Sequence, residues 1–197
     1  MGKGGTLSNK TILIFASVVA YVALFLFTMW LWLDIEIKLL GSGAMYASIL
    51  FLPHGVRVIS AWLLGPLAIV GLYPAHLFCF WIFNNFTFAP EMLVLCIPGA
   101  VCAPLAFELF RVCGLSLYPG SYAFDGLFWR RLLIVTIVAS MLNSMLTTSY
   151  YVVMDGVDIV PELLTRFLFG DVFGTVVLML LFATFRGRLF KWKNSIT

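Results

Sequence analysis

Charge is what this sequence has least of. Lysine, arginine, aspartate and glutamate make up 11% of its 197 residues, while hydrophobic types make up 62%. Soluble domains carry about a quarter charged residues. A chain of this size folded in water could not hide so much apolar surface, so a soluble globular domain is excluded. The mean hydropathy of +1.06 agrees. Also missing are ten-residue stretches alternating polar and apolar, the mark of a transmembrane barrel. Backbone groups in lipid must bond to one another, which leaves helices. The catalytic and nucleotide-binding patterns GxSxG, HExxH, GxxxxGK[ST] and GxGxxG are absent, so no enzymatic activity is expected. The four cysteines, Cys79, Cys96, Cys102 and Cys113, form no CxxC pair and are taken as small apolar residues.

What is present is a series of long apolar runs. About 20 helical residues cross roughly 30 Å of hydrocarbon. Six segments of that kind are expected, at 11–33, 42–63, 66–83, 91–112, 129–153 and 162–185. The predicted fold is all-α, a polytopic bundle forming one integral membrane domain over residues 1–197. The first segment is too long for the core of a cleavable signal, and no A-x-A-like site follows it. No soluble domain is expected within the chain. Its longest loop, 114–128, is too short to fold alone.

Charge distribution sets the expected orientation. With the N-terminus in the cytoplasm, the inner side collects Lys3, Lys10, Arg111, Arg130, Arg131, Arg186, Arg188, Lys191 and Lys193. The outer side keeps Lys38 with Asp34, Glu36, Glu91, Asp155, Asp158 and Glu162. This is the positive-inside pattern, and an even number of spans puts both termini inside. Trp129 and Trp192 flank the basic clusters as interfacial anchors. The expected location is the cell inner membrane.

Ionisable residues at membrane depth are costly and therefore candidates for function. They are His54, Arg57, His76, Glu108, Arg166 and Asp171, joined by the polar Asn143. On helical rise, His54 and Asp171 lie about 18 Å and about 14 Å from the outer ends of their segments, both close to mid-membrane. Arg57 is one turn beyond His54 on the same face, within reach of Asp171. His54, Arg57, Asn143 and Asp171 are thus the candidate ligand site, or else a structural ion pair with its neighbours. Pro53 and Gly55 should break the second segment beside them. Gly170 and Gly174, four residues apart, should allow close helix packing. Glu108 and Arg111 have the spacing of an interfacial pair, and Arg166 that of a partner to Glu162. His54 and His76 could also ligate a haem, although no further pattern favours it, and no other cofactor or metal is expected. Only Asp171 lies deep, which excludes a two-aspartate intramembrane protease. Asn85-Phe86-Thr87 matches a short glycosylation pattern of low specificity.

Leu50-Phe51-Leu52-Pro53-His54-Gly55-Val56-Arg57-Val58, followed by Ala61-Trp62-Leu63-Leu64-Gly65-Pro66, resembles the opening signature of the MASE1 membrane-associated sensor domain. It is also similar to the membrane part of the UhpB sensor kinase. Phe169-Gly170-Asp171-Val172-Phe173-Gly174 resembles that family's late Gly-Asp-x-x-Gly. The resemblance covers residues 42–185 and implies a membrane-embedded sensing fold. Family members usually have about eight spans and feed a kinase, cyclase or phosphodiesterase domain. Neither feature is found in this sequence.

The expected function is therefore a stand-alone sensing or binding module for a small ligand or a membrane partner. The alternatives are an accessory subunit of a larger membrane complex and a component of a small-solute transporter. The expected partners are the bilayer and another membrane or signalling protein. No nucleic acid is expected.

Overall fold

A computed structural model describes residues 4–40, 48–119, 128–156 and 160–196. Lys3, Ser42, Asp158 and most of the 114–128 loop lie outside them, as do the side chains of Asp155 and of residues 185–196. Seven α-helices account for most of the described chain: α1 (Gly4–Phe27), α2 (Leu33–Leu40), α3 (Pro53–Leu64), α4 (Ala68–Phe83), α5 (Glu91–Val112), α6 (Phe128–Asp155) and α7 (Val160–Ile196). A π-helical turn, Thr28–Trp32, joins α1 to α2, and a 3-10 turn, Gly65–Leu67, joins α3 to α4.

Five helical stretches are long and apolar enough to cross a membrane: Asn9–Leu39, Pro53–Phe83, Glu91–Val112, Trp129–Met154 and Val160–Thr184. The expected second and third segments fall together in Pro53–Phe83, because the second does not become a full-length helix. Residues 48–52 are not helical, and Pro53 occupies the first turn of α3. Proline suits that position, since its missing N–H would be unpaired there anyway. The break expected inside a helix is therefore the beginning of one. At 12 residues, α3 is about 18 Å long and cannot span a bilayer alone.

The chain reverses between α3 and α4. Arg57 and His76 are 19 residues apart, yet their side chains meet at 3.2 Å. One continuous helix would set them about 28 Å apart. The reversal is made at Gly65, whose φ of 61° few other residues adopt.

The short helix α3 is the centre of the bundle, touching α1, α4, α5, α6 and α7. All its residues except Ile59 and Leu63 are buried. Around it, α4 packs on α1 and α5, and α6 packs on α5 and α7. The apolar core joins Tyr21 and Phe25 of α1 to Val58 and Trp62 of α3, Leu72 of α4 and Phe107 of α5. Contact in lipid depends on fit rather than on water exclusion, and small residues (Ala100, Ala103, Ala106) accordingly line the buried face of α5.

Gly170 and Gly174 do allow a close approach, but to the non-helical backbone before α3 rather than to a helix. A Cβ on Gly170 would run into the carbonyl of Ser48, and one on Gly174 into that of Phe51. The N–H of Phe51 donates to the Gly170 carbonyl at 2.9 Å. Gly55 continues the seam, because a Cβ there would press on Leu178 and on the backbone of Thr175.

Candidate functional site

A non-helical stretch buried in a bundle must find partners for its backbone. Glu36 of α2 supplies them. Its buried carboxylate accepts from the Ser48 hydroxyl at 2.7 Å and from the Ile49 N–H at 2.8 Å. Arg166 of α7 approaches the same carboxylate at 3.6 Å and bonds Glu162 at 3.0 Å. The Arg166–Glu162 contact is the one expected from helical spacing. At the other end of the bundle Glu108 pairs with Arg111, also as expected, and accepts from the Tyr118 hydroxyl at 2.8 Å. Burial, together with Glu108 beside it, pushes the Tyr118 phenol above its ordinary pKa.

The expected site residues His54, Arg57, Asn143 and Asp171 are brought together, and all are buried. Because α3 starts at Pro53, His54 and Arg57 are one turn apart on its inner face. The Arg57 Nη2 donates to the Tyr21 hydroxyl at 3.0 Å and to Nε2 of His76 at 3.2 Å. Its guanidinium carbon lies 5.5 Å from the Tyr21 ring centre and 5.1 Å from that of Phe51, within cation–π range. Gly99 of α5 makes room for this arrangement, since a Cβ there would collide with His76 and Arg57.

Asp171 completes the cluster from α7. Its Oδ2 accepts from Asn143 at 2.6 Å and lies 3.2 Å from Nδ1 of His54. The expected direct meeting of Arg57 and Asp171 is corrected. No nitrogen–oxygen contact within 4.0 Å joins them, and both face Nδ1 of His54, with Arg57 at 3.5 Å. We assign the proton from the shorter contact: Nδ1–H donates to Asp171, and with this tautomer Nε2 accepts from the Ser140 hydroxyl at 3.4 Å. With its proton given to Asp171, Nδ1 makes no hydrogen bond to the arginine, and the imidazole sits between the two side chains. The order Asp171–His54–Ser140 is that of acyl-transfer triads. Ser140 is fully buried and is not among the residues that line the cavity described next.

A cavity of about 120 Å³ adjoins the cluster, several times the roughly 10–15 Å³ that one water needs. Its polar wall is Arg57, His76, Asn143, Asp171, Thr147 and Ser48. The rest is mainly aromatic: Phe25, Phe51, Phe80, Phe83, Tyr151 and Phe167. It extends from the charged cluster towards the end of the bundle where α4 and α6 finish and α7 begins. Met29, in the π-helical turn, also borders it, and such turns recur beside functional sites. The Nε of Arg57 is buried without a partner.

Tyr21, Ser140, Thr147, Glu36 and Ser48 were not expected in or beside the site. Tyr21 and the three hydroxyl residues are not ionised, so a search for charge at depth passes over them. Glu36 lies at the edge of an apolar run, where acids usually face water. Among the described residues, no group of three or more His, Cys, Asp or Glu is placed to hold a metal ion.

Comparison with protein-family models, with curated proteins and with solved structures gives no match. The site geometry is therefore the main guide to function.

Proposed function

We propose that this chain is a membrane-embedded ligand-sensing module of the MASE1-like kind, passing its output to a separate partner protein. One observation carries the proposal: a buried arginine with an unpartnered N–H borders a cavity between the helices. A purely structural arginine at this depth would have its donors satisfied. The resemblance adds support, because its two quoted motifs pack on each other. Residues 51–58 hold the start of α3, and Gly170 and Gly174 seat the backbone leading into it.

In this reading the chain crosses the inner membrane six times, with both termini in the cytoplasm. Residues 48–64 form a broken second span, non-helical in its outer part and helical in its inner part. Lys10, Arg111, Arg130 and Arg131 then face the cytoplasm, as the positive-inside rule requires.

The test is purification of the full chain in mild detergent, with mass spectrometry of everything retained. The expected result is a small molecule held by the natural chain and lost from a folded Arg57→Gln variant. A stoichiometric membrane-protein partner with no small molecule would favour an accessory subunit instead. A transporter component is the second reading, favoured by the broken span beside the cavity. Solute uptake into reconstituted vesicles would establish it.

A further inference from the structure

We propose that the cavity takes a small zwitterion with an apolar body, binding its oxyanion at Arg57 and its ammonium at Asp171. The inference rests on the ligand-binding reading above and names the ligand class.

The charges on the cavity wall are the starting point. Of its lining residues only Arg57 and Asp171 are of strongly basic or acidic type, one of each sign. His76 accepts from Arg57 through Nε2 and is neutral. The two charges are held apart by His54, each short of full pairing. Arg57 keeps an unpartnered Nε–H. Both side-chain contacts of Asp171 fall on Oδ2, which leaves Oδ1 for the cavity that the residue borders.

Electroneutrality then selects the ligand. With Arg57 and Asp171 both ionised the wall is neutral overall, so a ligand with a net charge would bring an uncompensated charge into a low-dielectric interior. A neutral apolar ligand would strip water from Arg57 and Asp171 and return no bonds. A zwitterion places opposite charges against opposite walls and adds none in sum. The aromatic remainder of the cavity, with Leu95 and Met29, suits an apolar body. The same rings accept an ammonium group on their faces.

The experiment is thermal unfolding of the full chain in mild detergent, titrated with L-phenylalanine and with its two half-charged analogues. Hydrocinnamate keeps the carboxylate, and phenethylamine keeps the ammonium. Ligand that binds the folded state raises the unfolding midpoint. Phenylalanine should raise it, with each analogue needing about tenfold or more higher concentration for the same shift. Leu95→Trp, which adds bulk at the cavity wall and replaces no charged residue, should abolish the shift in a folded protein. The proposal is overturned if either analogue matches phenylalanine, if phenylalanine produces no shift, or if Leu95→Trp leaves the shift intact. If a different small molecule is retained on purification and lost with Leu95→Trp, the binding site stands and only the ligand class falls. If none is retained and no compound shifts the midpoint, both readings fall.

Discussion

The carboxylate of Glu36 holds the backbone N–H of Ile49 at 2.8 Å, thirteen residues further along the chain. With the Ser48 hydroxyl on its other oxygen, it secures the non-helical entry to α3. Removing it with Glu36→Ala would leave a buried N–H, a hydroxyl and the Arg166 guanidinium short of an acceptor. The expected cost is about 3–5 kcal/mol, measured by unfolding in mixed detergent. Glu36→Gln keeps one acceptor and should cost about half as much. Equal stability of all three proteins would show that the carboxylate does not hold this segment.

Gly174→Ala tests the seam between α7 and the entry to α3. The added methyl meets the Phe51 carbonyl, which is backbone and cannot swing aside. Overpacking of this kind costs about 1–3 kcal/mol or more. Phe173→Ala, at the exposed neighbouring position, should stay within about 0.5 kcal/mol. A reversed order of the two variants in thermal unfolding would place the seam elsewhere.

Arg57 and Asp171 should be energetically coupled even though they do not touch. Asp171→Asn leaves the arginine without its counter-charge, at a cost of about 3–5 kcal/mol. In Arg57→Gln/Asp171→Asn no lone charge remains, so the pair should be less destabilising than the two single effects summed. Strict additivity would mean that His54 insulates the charges from each other.

Tyr21→Phe removes one hydroxyl from an otherwise unchanged ring. The lost partner is a buried cation, so stability should fall by about 1.5–3 kcal/mol. Tyr73→Phe removes a hydroxyl bonded to the Leu93 carbonyl nearer the surface and should cost about 0.5 kcal/mol. Matched losses in the two variants would argue against a role for Tyr21 in satisfying Arg57.

Cysteine labelling tests orientation. Cys113 is exposed at the end of α5, whereas Cys79, Cys96 and Cys102 are buried. An impermeant maleimide should modify Cys113 alone, and only in membranes whose cytoplasmic face is open to the reagent. Labelling of intact cells would invert the proposed topology.

Where an apolar run is also a helix, the sequence is a good guide. The segment expected at 91–112 is α5 to the residue, and the segment at 129–153 lies within α6 by a residue or two at each end. The segment expected at 42–63 is helical only from Pro53 among its described residues, for a physical reason. Residues 48–52 are as apolar as a helix, but their N–H groups bond to Glu36 and Gly170 from elsewhere and to the Ser48 hydroxyl within the stretch. Linear spacing does not show that supply. The site followed the same division. His54, Arg57, Asn143 and Asp171 stood out because polar groups are rare at that depth. Tyr21 and Gly99 did not, because a phenol and a glycine are unremarkable in an apolar run until folding sets them against a guanidinium. The Arg57–Asp171 pairing was close in space but wrong in chemistry, since a helical estimate of depth takes no account of the imidazole between them.

The shortness of α3 has a consequence for how the protein enters the membrane. Twelve residues carrying an arginine and a histidine have little affinity for lipid by themselves, since one arginine at the centre of an inserting helix costs about 2.5–3.5 kcal/mol. During synthesis α3 therefore has to wait for α4, and the two partition together as a hairpin closed at Gly65. Because α3 later touches α5, α6 and α7, its polar face stays uncovered until the last helix has emerged from the ribosome. The newborn chain thus carries an arginine and a histidine without Asp171 to face them until α7 (Val160–Ile196) arrives.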